Sequence, residues 1–111
     1  MNLINLNAFE ILKLFNSNKL SAVEYVSELM SHIKLREPNV QAWAFLNENL
    51  VNSYAKKIDE KRSNNLQKPF SGIPIGIKDI IDTHDFPTEN GSKTCLGRQP
   101  TEDAHLVKLL R

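Results

Sequence analysis

Apolar residues recur at helical spacing over three stretches of the chain, then give way to a short unbroken apolar run. Ala8, Ile11, Leu12 and Phe15 share one face of a helix predicted over 8–16, and Asn7 is placed to cap its free N–H groups. Asn16-Ser-Asn18 ends it. The second helix carries a stronger start signal. Ser21 and Glu24 match S-x-x-E, in which each side chain satisfies the other's orphan backbone N–H. Val26, Leu29, Met30 and Ile33 form its buried stripe, and Pro38 is expected to end it. A third helix is predicted from about Asn49 to Lys61, with Val51, Tyr54, Ala55 and Ile58 turned inward. A last one opens near Thr101 or Asp103 and keeps its apolar stripe (Ala104, Val107, Leu110) to Arg111.

Two segments break the helical period. Residues 41–46, Gln-Ala-Trp-Ala-Phe-Leu, read as a short strand whose Trp43 and Phe45 pack into the core. Residues 73–77, Ile-Pro-Ile-Gly-Ile, are apolar with β-branched residues, as in a strand covered on both faces. Pro74 places the start of that strand, or an unpaired N–H side, at its own position. A polar connector (62–72) lies before it and a long loop (82–100) after it. Two strands make a marginal sheet. The pattern therefore admits two readings: the N-terminal part of a larger α/β fold, or a small α+β domain in which helices cover a weak sheet.

Composition narrows the function classes. The 111 residues hold 14 Lys+Arg against 13 Asp+Glu, a net charge of +1, and 41% of them are hydrophobic. That level of apolar residues argues for a folded chain. The near-zero charge removes the electrostatic footprint of a nucleic-acid binder. No run approaches a membrane span, and the first residues lack the basic and apolar regions of a secretory signal. Cys95 is the sole cysteine, so no internal disulfide forms. These features predict a cytoplasmic setting with neither nucleic acid nor membrane as partner.

Lys78 carries the candidate chemistry, directly after the 73–77 run. Burying an ammonium costs several kcal/mol unless it is paired or loses its proton. Burial lowers a lysine's pKa and makes it a proton acceptor, and ligands of α/β sheets bind at strand ends. The plainer alternative has Lys78 emerging into water and pairing with Asp79 or Asp82. Asp79 either orients Lys78 or caps a following turn.

These residues also carry a resemblance. Gly72-Ile-Pro-Ile-Gly-Ile-Lys78-Asp79, then Phe86-Pro-Thr-Glu-Asn-Gly-Ser92, Gly97-Arg-Gln-Pro100 and Asp103-Ala104, resemble the N-terminal portion of the amidase signature family. The Ser21–Glu24 helix start and Glu37-Pro-Asn-Val-Gln-Ala-Trp-Ala-Phe45 agree with it upstream. Ile80 stands where an asparagine is common in the family. The likeness is greater to small bacterial amidases than to the subunit that transamidates misacylated tRNA.

The resemblance implies an α/β fold: an N-terminal fragment of a mixed sheet covered by helices, itself mostly helical with one or two strands. It implies amide hydrolysis by a Ser–cis-Ser–Lys triad with Lys78 as the catalytic base, a small-molecule amide as substrate, and no metal or cofactor. Both serines lie in a Gly/Ser-rich signature that this sequence does not contain, and Ser92 does not match the nucleophile. The expectation is therefore an amidase domain over 1–111 that is incomplete at its C-terminus, through a frameshift, a split gene or a short reading frame, and inactive alone. The alternative is a non-catalytic subunit or interaction module that associates with a second chain or with itself.

Other candidates read as structural. His32, His84 and His105 are isolated, with His32 placed near a helix C-terminus where a cation is favourable. His84-Asp85 suits a turn, no spacing matches a metal site, Cys95 reads as a buried or half-buried thiol, and Asn90-Gly91-Ser92 reads as a tight turn.

Overall fold

Asn7 and Ser21 start the first two helices in the same way. In the computed structural model, which describes residues 2–111, α1 spans Ala8–Asn16 and α2 spans Ala22–Val40, each opened by a reciprocal capping box. Asn7 accepts from the Glu10 N–H at 3.1 Å while the Glu10 carboxylate accepts from the Asn7 N–H at 2.8 Å. Ser21 and Glu24 repeat the exchange at 3.1 and 2.8 Å. The third helix, α3, spans Glu48–Ser63 and is capped by the Asn47 side chain. Short 3-10 turns occupy Leu3–Asn5 and Lys93–Cys95, and α4 spans His105–Leu110.

The described residues fall into two compact units, one ending at Pro74 and one running from Ile75 to Arg111. The first is helical. Ile11, Leu12 and Phe15 of α1 pack with Ala22, Val26 and Met30 of α2 and Ala55 of α3. Tyr25 meets the Phe15 ring edge-on at 6.1 Å, and the Arg62 guanidinium lies over that ring at 5.1 Å. Arg62 also donates to the Asn16 side chain and to the Ser71 carbonyl, which ties the connector to α1 and α3. At Gly72 the chain turns with φ +102°, and a Cβ there would meet Phe15 Cε2 at 2.9 Å. Both facts call for glycine.

Three expectations are corrected. Pro38 lies inside α2 and does not end it. Pro38 and Lys34 are both exposed, so the carbonyl that loses its donor lies on a solvated side of the helix. The helix stops three residues later at Gln41, left-handed at φ 51°, and His32 is therefore mid-helix. Residues 41–46 form no strand, and Trp43 (39% exposed) and Phe45 (41%) are not core residues. Residues 73–77 are also not a strand: Ile73 packs against the helical core while Ile75 is exposed. A strand needs a neighbour for its N–H and C=O groups, and among the described residues none is offered. The described residues are thus mostly helical, without the sheet of the resembled α/β fold. No described helix is long and apolar enough to cross a membrane.

The second unit is held by turns. Asn90 (φ 57°) and Gly91 (φ 63°) form a tight turn closed by the Ser92 N–H on the Glu89 carbonyl at 3.0 Å. The Thr88 N–H donates to the Arg98 carbonyl at 2.9 Å and closes the larger loop. The Gln99 amide reaches the carbonyls of Thr83, His84, Phe86 and Pro100 at 3.0–3.3 Å. Thr83, Thr88, Pro100 and Val107 are buried.

Candidate active site around Lys78

Lys78 follows the irregular 73–77 segment, and its carbonyl accepts from the Ile81 N–H at 3.0 Å, which bends the chain back at once. Its side chain is exposed. Among the described residues neither Asp79 nor Asp82 pairs with it, because both carboxylates are engaged elsewhere. Asp79 accepts from the Glu89 N–H at 2.8 Å and the Gly91 N–H at 3.3 Å, while its backbone carbonyl takes the Asn90 N–H at 2.8 Å. Asp79 thus holds residues 89–91 and makes no direct bond to the Lys78 side chain.

Asp82 takes a two-pronged bond from Arg98, at 2.7 and 2.9 Å. That bond, helped by the guanidinium's charge and partly opposed by burial, holds the Asp82 carboxyl below the usual carboxylate range and raises Arg98 in turn. Arg98 Nη1 also reaches the Thr88 carbonyl at 3.3 Å. The motif blocks around Lys78, Thr88 and Arg98 thus form one hydrogen-bonded assembly.

A second cluster joins His84, Asp85, Asp103 and Arg111. The Asp103 side chain is 7% exposed, and its Oδ1 accepts from the His84 backbone N–H at 2.8 Å and lies 2.9 Å from His84 Nδ1. Arg111 bonds Asp103 through Nε at 2.8 Å and Asp85 through Nη2 at 2.7 Å. Burial is the largest influence on Asp103 and pushes its carboxyl up. The His84 backbone bond, the imidazole contact and the Arg111 charge together outweigh it and hold the carboxyl below its ordinary value. His84, Asp85 and Asp103 offer ligand atoms within 4.8 Å of one another, a grouping their sequence spacing does not suggest. The donor set, one imidazole and two carboxylates, would suit a divalent ion. Arg111 already brings a positive charge to both carboxylates, and the arrangement is a salt-bridge network.

An open cleft is lined by Ile80, Ile81, Asp82, Asp103, Ala104 and Leu106, and Lys78 is not among its walls. Ser92 caps the Lys93–Cys95 turn and contacts Thr94 Oγ1 at 2.8 Å, a structural engagement. Cys95 is half-buried and His105 is exposed. Sequence reasoning singles out the Arg98-Gln99-Pro100 and Asp103 motifs without their roles. The signal is chemical: a guanidinium, an amide and a carboxylate in a glycine- and proline-rich loop have many open backbone groups to meet.

Comparison with known proteins agrees with this arrangement of motifs. A family model described as Amidase matches residues 24–111. The chain is similar to the A subunit of the glutamyl-tRNA(Gln) amidotransferase of Rhodopirellula baltica, 31% identical over 95% of this chain and 21% of that protein. It is 34% identical to the corresponding protein of Chloroflexus aggregans, over 85% of this chain and 20% of that protein. With the Streptomyces avermitilis counterpart it shares 33% identity over 100% of this chain and 22% of that protein. The chain spans about a fifth of the length of these relatives. They are amidotransferase subunits, and the expected greater likeness to small bacterial amidases is not among what these comparisons show.

Proposed function

Because the chain belongs to the amidase family, we propose that it carries the general base, Lys78, of an enzyme that cleaves a carbon–nitrogen bond. In this reading the Lys78 amine takes a proton through a bridging serine from a nucleophilic serine. That serine attacks the amide carbonyl, the nitrogen group leaves, and water releases the acyl group. Both serines come from sequence outside these 111 residues, so the chain is an incomplete amidase domain and is inactive alone. The nitrogen is either released, as in hydrolysis, or passed on, as the relatives' name of amidotransferase states.

The observation that supports the reading best is the binding of Asp79, next to Lys78, to the 89–91 turn. It joins the two motif blocks that the family resemblance rests on. The exposed Lys78 defines what is still needed: to act as a base the amine must give up its proton, which a dry cover favours. That cover is assigned to the same outside sequence as the serines. A cytoplasmic setting and a small amide substrate belong to this proposal. The relatives' name includes a tRNA, but the net charge of +1 supports a segment that does not itself grip nucleic acid.

The 111-residue chain, incubated with simple amides such as acetamide and benzamide, is expected to release no ammonia above a buffer control. Turnover that disappears in Lys78→Ala would show a nucleophile within the chain and overturn this division of labour.

A second reading is favoured by one feature. Leu106, Leu109 and Leu110 of α4 are 51%, 71% and 49% exposed, a concentration of apolar surface on six residues. It supports association with a second chain or with itself, with the segment as a non-catalytic subunit. Sedimentation at two protein concentrations decides: this reading predicts self-association or capture of a complementary amidase chain, and a well-behaved monomer that ignores such a chain contradicts it.

A further inference from the structure

We infer that Asp79 is the positioning residue of the Lys78 base, holding the lysine's attachment point against the Glu89-Asn90-Gly91 turn; this rests on the reading of Lys78 given above. Three consecutive backbone N–H groups converge on this one residue. Those of Glu89 and Gly91 meet the two carboxylate oxygens, at 2.8 and 3.3 Å, and that of Asn90 meets the Asp79 carbonyl at 2.8 Å.

The turn is shaped for this. Asn90 and Gly91 are both left-handed, at φ 57° and 63°, and the tight turn they make faces the Glu89 and Gly91 N–H groups to one carboxylate, a small anion-binding nest. The Asp79 carboxylate is the anion. Bonds from N–H groups to an ionised acceptor are stronger than neutral ones, and no cation among the described residues pairs with this carboxylate to compete for it.

The consequence for Lys78 follows from chain geometry. Adjacent Cα atoms across a trans peptide are about 3.8 Å apart, so fixing Asp79 on both its side chain and its carbonyl fixes where the lysine stem begins. A flexible four-carbon stem then has a defined origin relative to residues 88–92. Placement within about 1 Å decides rates in such sites, since an error of that size costs up to about a hundredfold. Aspartate is the side chain that fits. Asparagine would aim an NH2 group at one of the two N–H donors, and glutamate would carry the carboxylate one methylene beyond the nest.

Nuclear magnetic resonance on the 111-residue chain tests this directly. The unaltered chain should show a coupling across the hydrogen bond between the Glu89 amide nitrogen and the Asp79 carboxylate carbon. In Asp79→Ala the Glu89 and Gly91 amides should exchange with solvent roughly tenfold faster or more. The Lys78 backbone amide and Hα signals should shift toward those of an unstructured chain. Sodium formate should restore amide protection in that variant by refilling the nest, and Asp79→Asn should retain protection at only one of the two amides. Absence of the coupling in the unaltered chain, or unchanged exchange and Lys78 signals in Asp79→Ala, would overturn the inference. Failure of formate to restore protection would remove the nest from it. The Lys78→Ala chain should keep the Glu89 coupling, so a failure of the base assignment and a failure of the Asp79 link are separate results.

Discussion

Asp59 of α3 caps α2 at Ala22: its two carboxylate oxygens take the Ala22 and Val23 N–H groups at 2.8 and 3.0 Å. With Ser21 Oγ on the Glu24 N–H and the Glu24 carboxylate on the Ser21 N–H, each donor from Ser21 to Glu24 is satisfied. One side chain thereby binds two helices of the first unit together. Asp59→Ala should destabilise the chain by about 1–2 kcal/mol, the cost of losing a helix cap. Urea unfolding followed through Trp43 fluorescence measures it, and an unchanged midpoint would contradict this role.

Gly72 should tolerate no side chain. Alanine there must adopt φ +102° and place its Cβ 2.9 Å from Phe15 Cε2. Gly72→Ala is expected to cost about 1–3 kcal/mol in backbone strain together with the Phe15 overlap. Adding Phe15→Leu should relieve only the overlap, leaving the double variant less stable than Phe15→Leu alone. Thermal melts of the four chains complete the cycle, and equal melting temperatures for Phe15→Leu with and without Gly72→Ala would contradict the strain argument.

The starts of α1 and α2 were legible because their signals are local, whereas α4, expected to open near Thr101 or Asp103, begins at His105 without a side-chain cap. Asn7 with Glu10 and Ser21 with Glu24 each complete a capping box within four residues. Asp59 was not legible, since it acts on residues 36 and 37 positions away. Pro38 misled because proline's cost depends on which side of the helix its orphaned carbonyl faces, and sequence spacing does not report that. Residues 41–46 and 73–77 have strand-like composition, but a strand exists only with a partner, and composition is silent about partners. For the site, the motif at Lys78 was visible as a run of residue types. The engagement of Asp79 with the 89–91 turn was not, because it depends on left-handed Asn90 and Gly91 folding the turn so that the Glu89 and Gly91 N–H groups face one carboxylate.

The second unit should lose stability in acid, and the sign follows from two carboxyls. Asp82 is lowered chiefly by the Arg98 bond, and Asp103 is lowered by His84 and Arg111 against the upward push of burial. A carboxyl lowered in the folded state stabilises it fully above the unfolded value, about 3.9 for aspartate, and that contribution disappears as pH falls through the folded value. The melting temperature should therefore hold from pH 7 to about pH 5 and fall below about pH 4. Arg98→Ala should show a smaller fall, because Asp82 then titrates alike in both states. Melting temperatures of the two chains from pH 7 to 2.5 provide the check, and parallel curves would remove Asp82 from the account.

Lys78 as proton acceptor is the claim on which the functional reading rests, and a chimera tests it most directly. This chain would replace the matching fifth of one of the amidotransferase subunits it resembles, and amide cleavage would be read as ammonia release. Lys78→Ala in that chimera should lower kcat/KM by about 10²–10⁴, the usual contribution of a general base, with the melting temperature unchanged. A chimera that cleaves amides equally well with alanine at position 78 would contradict the assignment.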